Sequence, residues 1–298
     1  GIDASLQTPA YRLRDNVDFI PMTSAKTYLI QFLNIAGLGP IFGAILGATY
    51  GPIAFVWIVL GAIFGGAVHD YMSGMMSVRQ NGESIPEVIG KYLGLPAKQF
   101  MRVFTLLLMI LVGAAFITGP AAILANKIQS LVDANSISDT WLLLTNKFFW
   151  IVLILVYYFI ATLLPIDKVI GRIYPFFGFC LLFMALGIGI MLFYYGQAIP
   201  ELTMDTLHNM KRNSDEYPIF PLIFITISCG AISGFHATQS PMMARTIRNE
   251  KEGKSVFYGA MITEAIIALI WAAAAMTFFD GVDNLNTQLA AHQMQPAW

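Results

Sequence analysis

The chain has 298 residues, of which 57% are hydrophobic and only 12% charged, with a formal net charge of −1 and a mean hydropathy of +0.66. Soluble domains carry about a quarter charged residues, so this composition belongs to membrane proteins. The near-zero net charge gives no ground for a nucleic-acid partner, and the two cysteines, Cys180 and Cys229, read as buried free thiols inside apolar stretches.

Residues 1–27 are polar, with Arg12, Arg14, Asp15 and Asp18, and form an N-terminal segment that is not a cleavable signal. A helix needs roughly 20 apolar residues to cross the hydrocarbon core. On that criterion seven spans are predicted, at 28–49, 52–77, 100–127, 147–165, 172–196, 219–240 and 255–279, giving an all-α transmembrane domain over 28–279. Thr118-Gly119-Pro120 is expected to interrupt the third span. Residues 280–298 form a closing extracytoplasmic segment.

The basic residues set the orientation. With the N-terminus in the cytoplasm, thirteen of the 17 Lys and Arg residues fall on that side. Only Lys127, Lys147, Lys211 and Arg212 fall on the other, and snorkelling accounts for the two lysines beside spans three and four. A missed or invented span would scramble this separation.

Two spans are broken. The first carries Asn34-Ile-Ala-Gly-Leu-Gly-Pro-Ile-Phe-Gly43, and the sixth carries Ser228-Cys-Gly-Ala-Ile-Ser-Gly-Phe-His-Ala-Thr-Gln-Ser-Pro241. Lipid cannot satisfy the backbone groups that a break exposes, so breaks persist where they are buried in protein or line a cavity. The two breaks lie five spans apart on helices of opposite direction. This is the pattern of a five-plus-five inverted repeat with substrate held at the unwound helices, of which only two helices of the second repeat fall within the chain. In the first break, Gly37, Gly39 and Pro40 remove helix propensity, and amides freed at a half-helix N-terminus suit a carboxylate. The plainer reading of such glycines is close helix packing. In the second break Ser233, His236, Thr238, Gln239 and Ser240 supply donors and acceptors beside Gly230 and Gly234. Ser240-Pro241 reads as an N-cap and first helical residue restarting a helix. The predicted substrate-binding set is Asn34, Gly37, Gly39, Ser233, Gly234, His236, Thr238 and Gln239.

Ionisable groups inside spans mark function, because a carboxylate at mid-span costs about 2.5–3.5 kcal/mol on insertion scales. Asp70 in span two, His236 in span six and Glu264 in span seven are the predicted ion-coupling residues. For Asp70 a structural ion pair, with Arg79 or a basic loop, competes with a coupling role; His69 beside it is a possible proton relay. Glu264 has a structural hydrogen bond as its alternative. There is no Gly-x-x-x-x-Gly-Lys-Ser/Thr loop, Cys-x-x-Cys or His-Glu-x-x-His motif, so no cofactor or metal is expected and an ATP-driven pump or metalloenzyme is disfavoured.

Four stretches, Phe32-Leu-Asn-Ile-Ala-Gly-Leu-Gly-Pro-Ile-Phe-Gly43, Val68-His-Asp-Tyr-Met-Ser-Gly74, Arg79-Gln-Asn-Gly-Glu-Ser-Ile85 and Phe235-His-Ala-Thr-Gln-Ser-Pro-Met-Met-Ala-Arg-Thr246, resemble the carbon starvation protein A family. The resemblance covers essentially the whole chain. It implies a multispanning bacterial inner-membrane protein that imports peptides under carbon starvation, some members carrying pyruvate with protons. It also implies a helix arrangement similar to the amino acid–polyamine–cation transporters. Family members have a further helix before the position of Gly1 and more after Trp298, so the chain reads as a fragment. The expectation is a secondary transporter, not an enzyme, with peptide or pyruvate, protons and membrane lipids as partners and a homo-oligomer possible. A ligand-binding sensor and an intramembrane hydrolase built on His236 and Ser240 are the rival readings.

Overall fold

The computed structural model describes residues 2–133, 142–162, 170–196, 198–212, 214–224 and 236–291. All regular secondary structure among them is helical. The main helices are α1 (Ser24–Ile35), α2 (Leu38–Ala48), α3 (Ile53–Arg79), α4 (Ile85–Leu93), α5 (Leu95–Asp133), α6 (Lys147–Thr162), α7 (Ile170–Tyr194), α8 (His236–Ala244), α9 (Glu250–Phe278) and α10 (Val282–Ala291).

Helices α3, α5 and α9, with the 174–194 part of α7, are long and apolar enough to cross a membrane, and the bent pair α1–α2 makes a fifth candidate. The expected span at 147–165 is the 16-residue apolar helix α6. The expected span at 219–240 passes through 225–235, outside the described residues.

The first predicted break is present. Helix α1 stops at Ile35, Ala36 and Gly37 leave helical geometry (ψ 50° and −138°), and α2 departs at 48°. Pro40 stands third in α2, where its missing N–H is not needed because the first four amides of a helix have no intrahelical acceptor. Packing also demands glycine here, since a Cβ on Gly37 would lie 2.7 Å from the Phe116 ring.

The expected interruption at Thr118-Gly119-Pro120 is corrected by the structure. Helix α5 runs unbroken for 39 residues with Pro120 inside it, and Thr118 donates to the Ala114 carbonyl at 2.9 Å. One lost hydrogen bond costs less than unwinding a turn whose groups lipid cannot satisfy. At 1.5 Å per residue the helix is about 58 Å long, nearly twice the hydrocarbon core. Its first turns pack on α4, where Glu87 binds both Lys98 and Arg102.

The core centres on α9. Ala44 and Ala48 of α2 and Ala54, Ile58 and Ala62 of α3 pack with Ala265, Ala268, Ala272 and Met276 of α9. Small side chains let membrane helices approach closely, which replaces the hydrophobic drive that lipid cancels. The outward faces of α5, α6 and α7 are rich in exposed Phe and Leu, including Phe148, Phe176 and Phe183. Cys180 lies on this outer surface of α7, which corrects the expectation of a buried thiol; Cys229 is outside the described residues.

Two polar assemblies close the ends. Residues 2–23 form a strap over the loop before α9. Thr8 donates to the Ile247 carbonyl (2.7 Å), Met22 N–H to Thr246 (3.0 Å), and Asn249 to the Ala4 carbonyl (3.0 Å). Under it the fully buried Glu250 accepts from Arg79 (3.0 and 2.9 Å) and from the Asp3 amide (2.9 Å). At the opposite end of α2, Met210 N–H bonds the Tyr50 carbonyl, and Asn286 bridges the Thr49 and Met210 carbonyls. Lys211 lies over the rings of Tyr50 and Tyr217, and its burial there pushes it below the ordinary lysine range.

Candidate functional site

Four helices meet around Asp70. It sits on α3 one turn beyond a π-helical stretch, Gly61–Gly66, and it is fully buried. Glu264, also fully buried, follows the π-helical stretch Lys254–Gly259 of α9 in the same way. Such stretches widen a helix by one residue per turn and recur at functional sites, because they rotate the following side chains away from their regular positions. A turn beyond Asp70, Gly74 lets α3 approach α9: a Cβ there would lie 2.6 Å from the ring of Phe257.

The partners of Asp70 are neutral donors. Gln31 Nε2 reaches both carboxylate oxygens, at 3.0 and 2.9 Å. Ser240 Oγ donates to Oδ1 from α8. Three donations onto one carboxylate join α1, α3 and α8, and all three side chains are fully buried. Arg79, the expected ion-pair partner, is instead engaged by Glu250. Glu264 lies within electrostatic reach of Asp70, bringing two of the three predicted ion-coupling residues into one neighbourhood. His236, the third, opens α8, but its side chain is outside the described part. His69 is exposed, on a different face of α3 from its neighbour.

The predicted substrate residues are distributed around this centre. Asn34, three residues after Gln31 on α1, accepts from the Tyr174 hydroxyl of α7 at 2.7 Å. Gly37 and Gly39 flank the start of α2. Gln239 is buried beside Ser240, and its Nε2 has no hydrogen-bond partner among the described residues. Thr238 on the same helix is half-buried; Ser233 and Gly234 lie outside the described residues. The N-cap reading of Ser240 is corrected: α8 starts at His236 and runs through Pro241, so Ser240 sits mid-helix and its hydroxyl is spent on Asp70.

Gln31 is the residue that sequence reasoning missed. Thr27, Gln31 and Asn34 form a polar stripe at helical spacing in an apolar span, and that stripe was readable. Two of its atoms, Thr27 Oγ1 and Gln31 Oε1, are buried without a hydrogen-bond partner among the described residues. No cluster of three or more His, Cys, Asp or Glu that could hold a metal occurs among those residues.

Apolar helices of spanning length, packed through small residues around buried carboxylates, define a polytopic helical membrane protein. The sequence model of carbon starvation protein CstA matches residues 1–132 and 120–296, and the chain belongs to that family. An uncharacterized membrane protein of Haemophilus influenzae is 44% identical, over 97% of this chain and 87% of its own length. The peptide transporter CstA of Helicobacter pylori J99 is 27% identical over 94% of this chain and 48% of its own. The pyruvate/proton symporter BtsT of Escherichia coli is 25% identical over 94% and 46%. The chain thus spans about half the length of these named transporters. No solved structure matches it.

Proposed function

We propose that the chain is the substrate- and ion-binding part of a secondary transporter of the bacterial inner membrane that imports peptides under carbon starvation, driven by protons. Membership of the CstA family supports transport, and the transporter names of its relatives support peptide as the cargo. The observation that carries the coupled mechanism is the pair of buried acids, Asp70 and Glu264, where the hydrogen-bond donors to Asp70 among the described residues are neutral. A carboxylate inside a bundle is costly to keep charged, so binding and releasing a proton is its cheapest chemistry.

In this reading the bundle has seven spans from a cytoplasmic N-terminus, with 28–279 as the transmembrane domain, and belongs to a five-plus-five inverted repeat that moves by alternating access. The breaks at Asn34–Gly39 and at Ser233, Gly234, His236, Thr238 and Gln239 hold the substrate, and Asp70, Glu264 and His236 carry the coupling proton. The Nε2 of Gln239, without a hydrogen-bond partner among the described residues, is a ready donor for a carboxylate or peptide carbonyl. Pyruvate–proton symport is the second reading, favoured by the relative named as such. A ligand-binding sensor without flux is the third.

Proteoliposomes containing the full-length protein are to be loaded with an inward proton gradient and offered labelled dipeptide or pyruvate, with a sodium gradient as control. Accumulation of dipeptide abolished by a protonophore is the expected result. Preferential accumulation of pyruvate replaces the cargo and keeps the mechanism. Specific binding with no accumulation of either sinks transport.

A further inference from the structure

We propose that Gln31 reports the protonation state of Asp70 by turning its amide, with Ser240 relaying the change to α8. The proposal rests on the proton-coupled reading above and names the positioning residues of that site. Its basis is an asymmetry in the Gln31 side chain. Nε2 donates to both oxygens of Asp70, as suits a carboxylate, while Oε1 of the same fully buried amide has no partner among the described residues. A buried carbonyl oxygen left without a hydrogen bond costs about 1–3 kcal/mol, so its persistence calls for a second state in which it is used.

That state follows from adding one proton. A protonated carboxyl has one O–H donor and one remaining carbonyl acceptor. Both oxygens can no longer accept from Nε2. If the amide rotates about its last torsion, Oε1 accepts the new O–H and Nε2 donates to the other oxygen, pairing acid and amide in a ring. The proton arrives from water and leaves to water, and no other bond changes. Ser240, which donates to Oδ1 in the charged state, must then shift or accept in its turn. Because Gln31 is on α1 and Ser240 on α8, proton binding alters the contacts between two helices that adjoin the predicted breaks.

Beside Asp70 on α3, His69 is exposed on a different face of the helix. From α9, Glu264 lies within electrostatic reach of Asp70, while Glu250 is held by Arg79 at the far end of α3 and Lys254 is exposed. On α4, Glu87 and Lys91 are in exposed ion pairs. On α1, Lys26 is half-buried in the first turn and Tyr28 bonds Thr263. The side chain of His236 on α8 is outside the described part, so the test includes His236→Gln as a background.

Infrared difference spectra of the full-length protein across a pH titration, in wild type and in His236→Gln, isolate the Asp70 carboxyl band as the one lost in Asp70→Asn. Gln31→Leu is expected to shift that band to the frequency of a less strongly hydrogen-bonded acid. Ser240→Ala is expected to move the pH midpoint of the band by about 1–2 units towards alkaline pH, the loss of one hydrogen bond to a charged acceptor. Ser240→Thr, which keeps the hydroxyl, restores it. A band of unchanged frequency in Gln31→Leu, or a midpoint unmoved in Ser240→Ala, overturns the proposal. Should Gln31→Leu not fold, Gln31→Asn, too short to bridge both oxygens, is read in the same way. The titration does not depend on uptake, so a failed transport assay and a failed amide switch are separable.

Discussion

Glu250 and Asp70 are both fully buried carboxylates, and their surroundings are opposite. Glu250 faces a guanidinium across two hydrogen bonds and takes a backbone amide of the N-terminal strap as well. Its charge is compensated, and it fastens three pieces of chain: the strap, the end of α3 and the start of α9. Asp70 is met by an amide and a hydroxyl, with a second carboxylate nearby. Burial of a charge is stable only when it is paired or well hydrogen-bonded. The clasp at Glu250 is therefore a structural joint, whereas Asp70 has no cation against it among the described residues, the setting that the proposed coupling role requires.

The largest contrast is expected from neutralising each acid in the full-length protein. Asp70→Asn keeps the shape and much of the hydrogen bonding, so thermal stability in detergent stays within about 1 kcal/mol of wild type, while gradient-driven accumulation falls by roughly tenfold or more. Loss of stability with retained accumulation would reverse the roles of the two acids. Next is Arg79→Leu, which leaves Glu250 without its cation. A buried pair broken on one side costs about 3–5 kcal/mol, and the half-exposed Arg79 side chain reduces this to about 1–3 kcal/mol. The double variant Arg79→Leu/Glu250→Leu should recover part of the loss, and a melting temperature unchanged in Arg79→Leu would mean that the clasp carries no strain-bearing charge.

A smaller effect sharpens the geometry around Asp70. In Gly74→Ala the new methyl meets the Phe257 ring, and overpacking at such a contact costs about 1–3 kcal/mol. Uptake should suffer with it, because α3 and α9 carry the two acids; uptake untouched by a destabilising Gly74→Ala would separate the packing of this contact from the site. Smallest is Glu87→Gln on the exposed joint between α4 and α5. Lys98 and Arg102 hold the Glu87 carboxyl below its ordinary value of 4.5. Its stabilising contribution is thus present above that value and is lost as pH falls through the lowered one. The variant should blunt acid sensitivity in melts at low salt and behave as wild type at high salt, where screening removes the pair.

The helical architecture was legible because it follows from hydropathy and length alone. The first break was legible for a similar reason: Gly37, Gly39 and Pro40 act on the local backbone. Buried positions for Asp70 and Glu264 also followed from their place within apolar spans. What hid was anything set by a partner helix. Thr118-Gly119-Pro120 looks locally like a break, but α5 runs through it because unwinding in lipid costs more than one missing bond. Ser240-Pro241 looks like a helix start, yet α8 already begins at His236 and turns the hydroxyl onto Asp70. Arg79 is close enough in sequence to invite pairing with Asp70, and it is Glu250, 171 residues away, that takes it.

The sequence by itself determined a membrane-embedded helical chain, its family, the kinked first span and the acids within the apolar spans two and seven, since each depends on the solvent the residues prefer or on the torsions they allow. The tertiary structure decided which acid is neutralised and which is left to neutral donors. That choice depends on distances between helices far apart in the chain, and it brought Gln31 from an inconspicuous polar residue to the partner of Asp70.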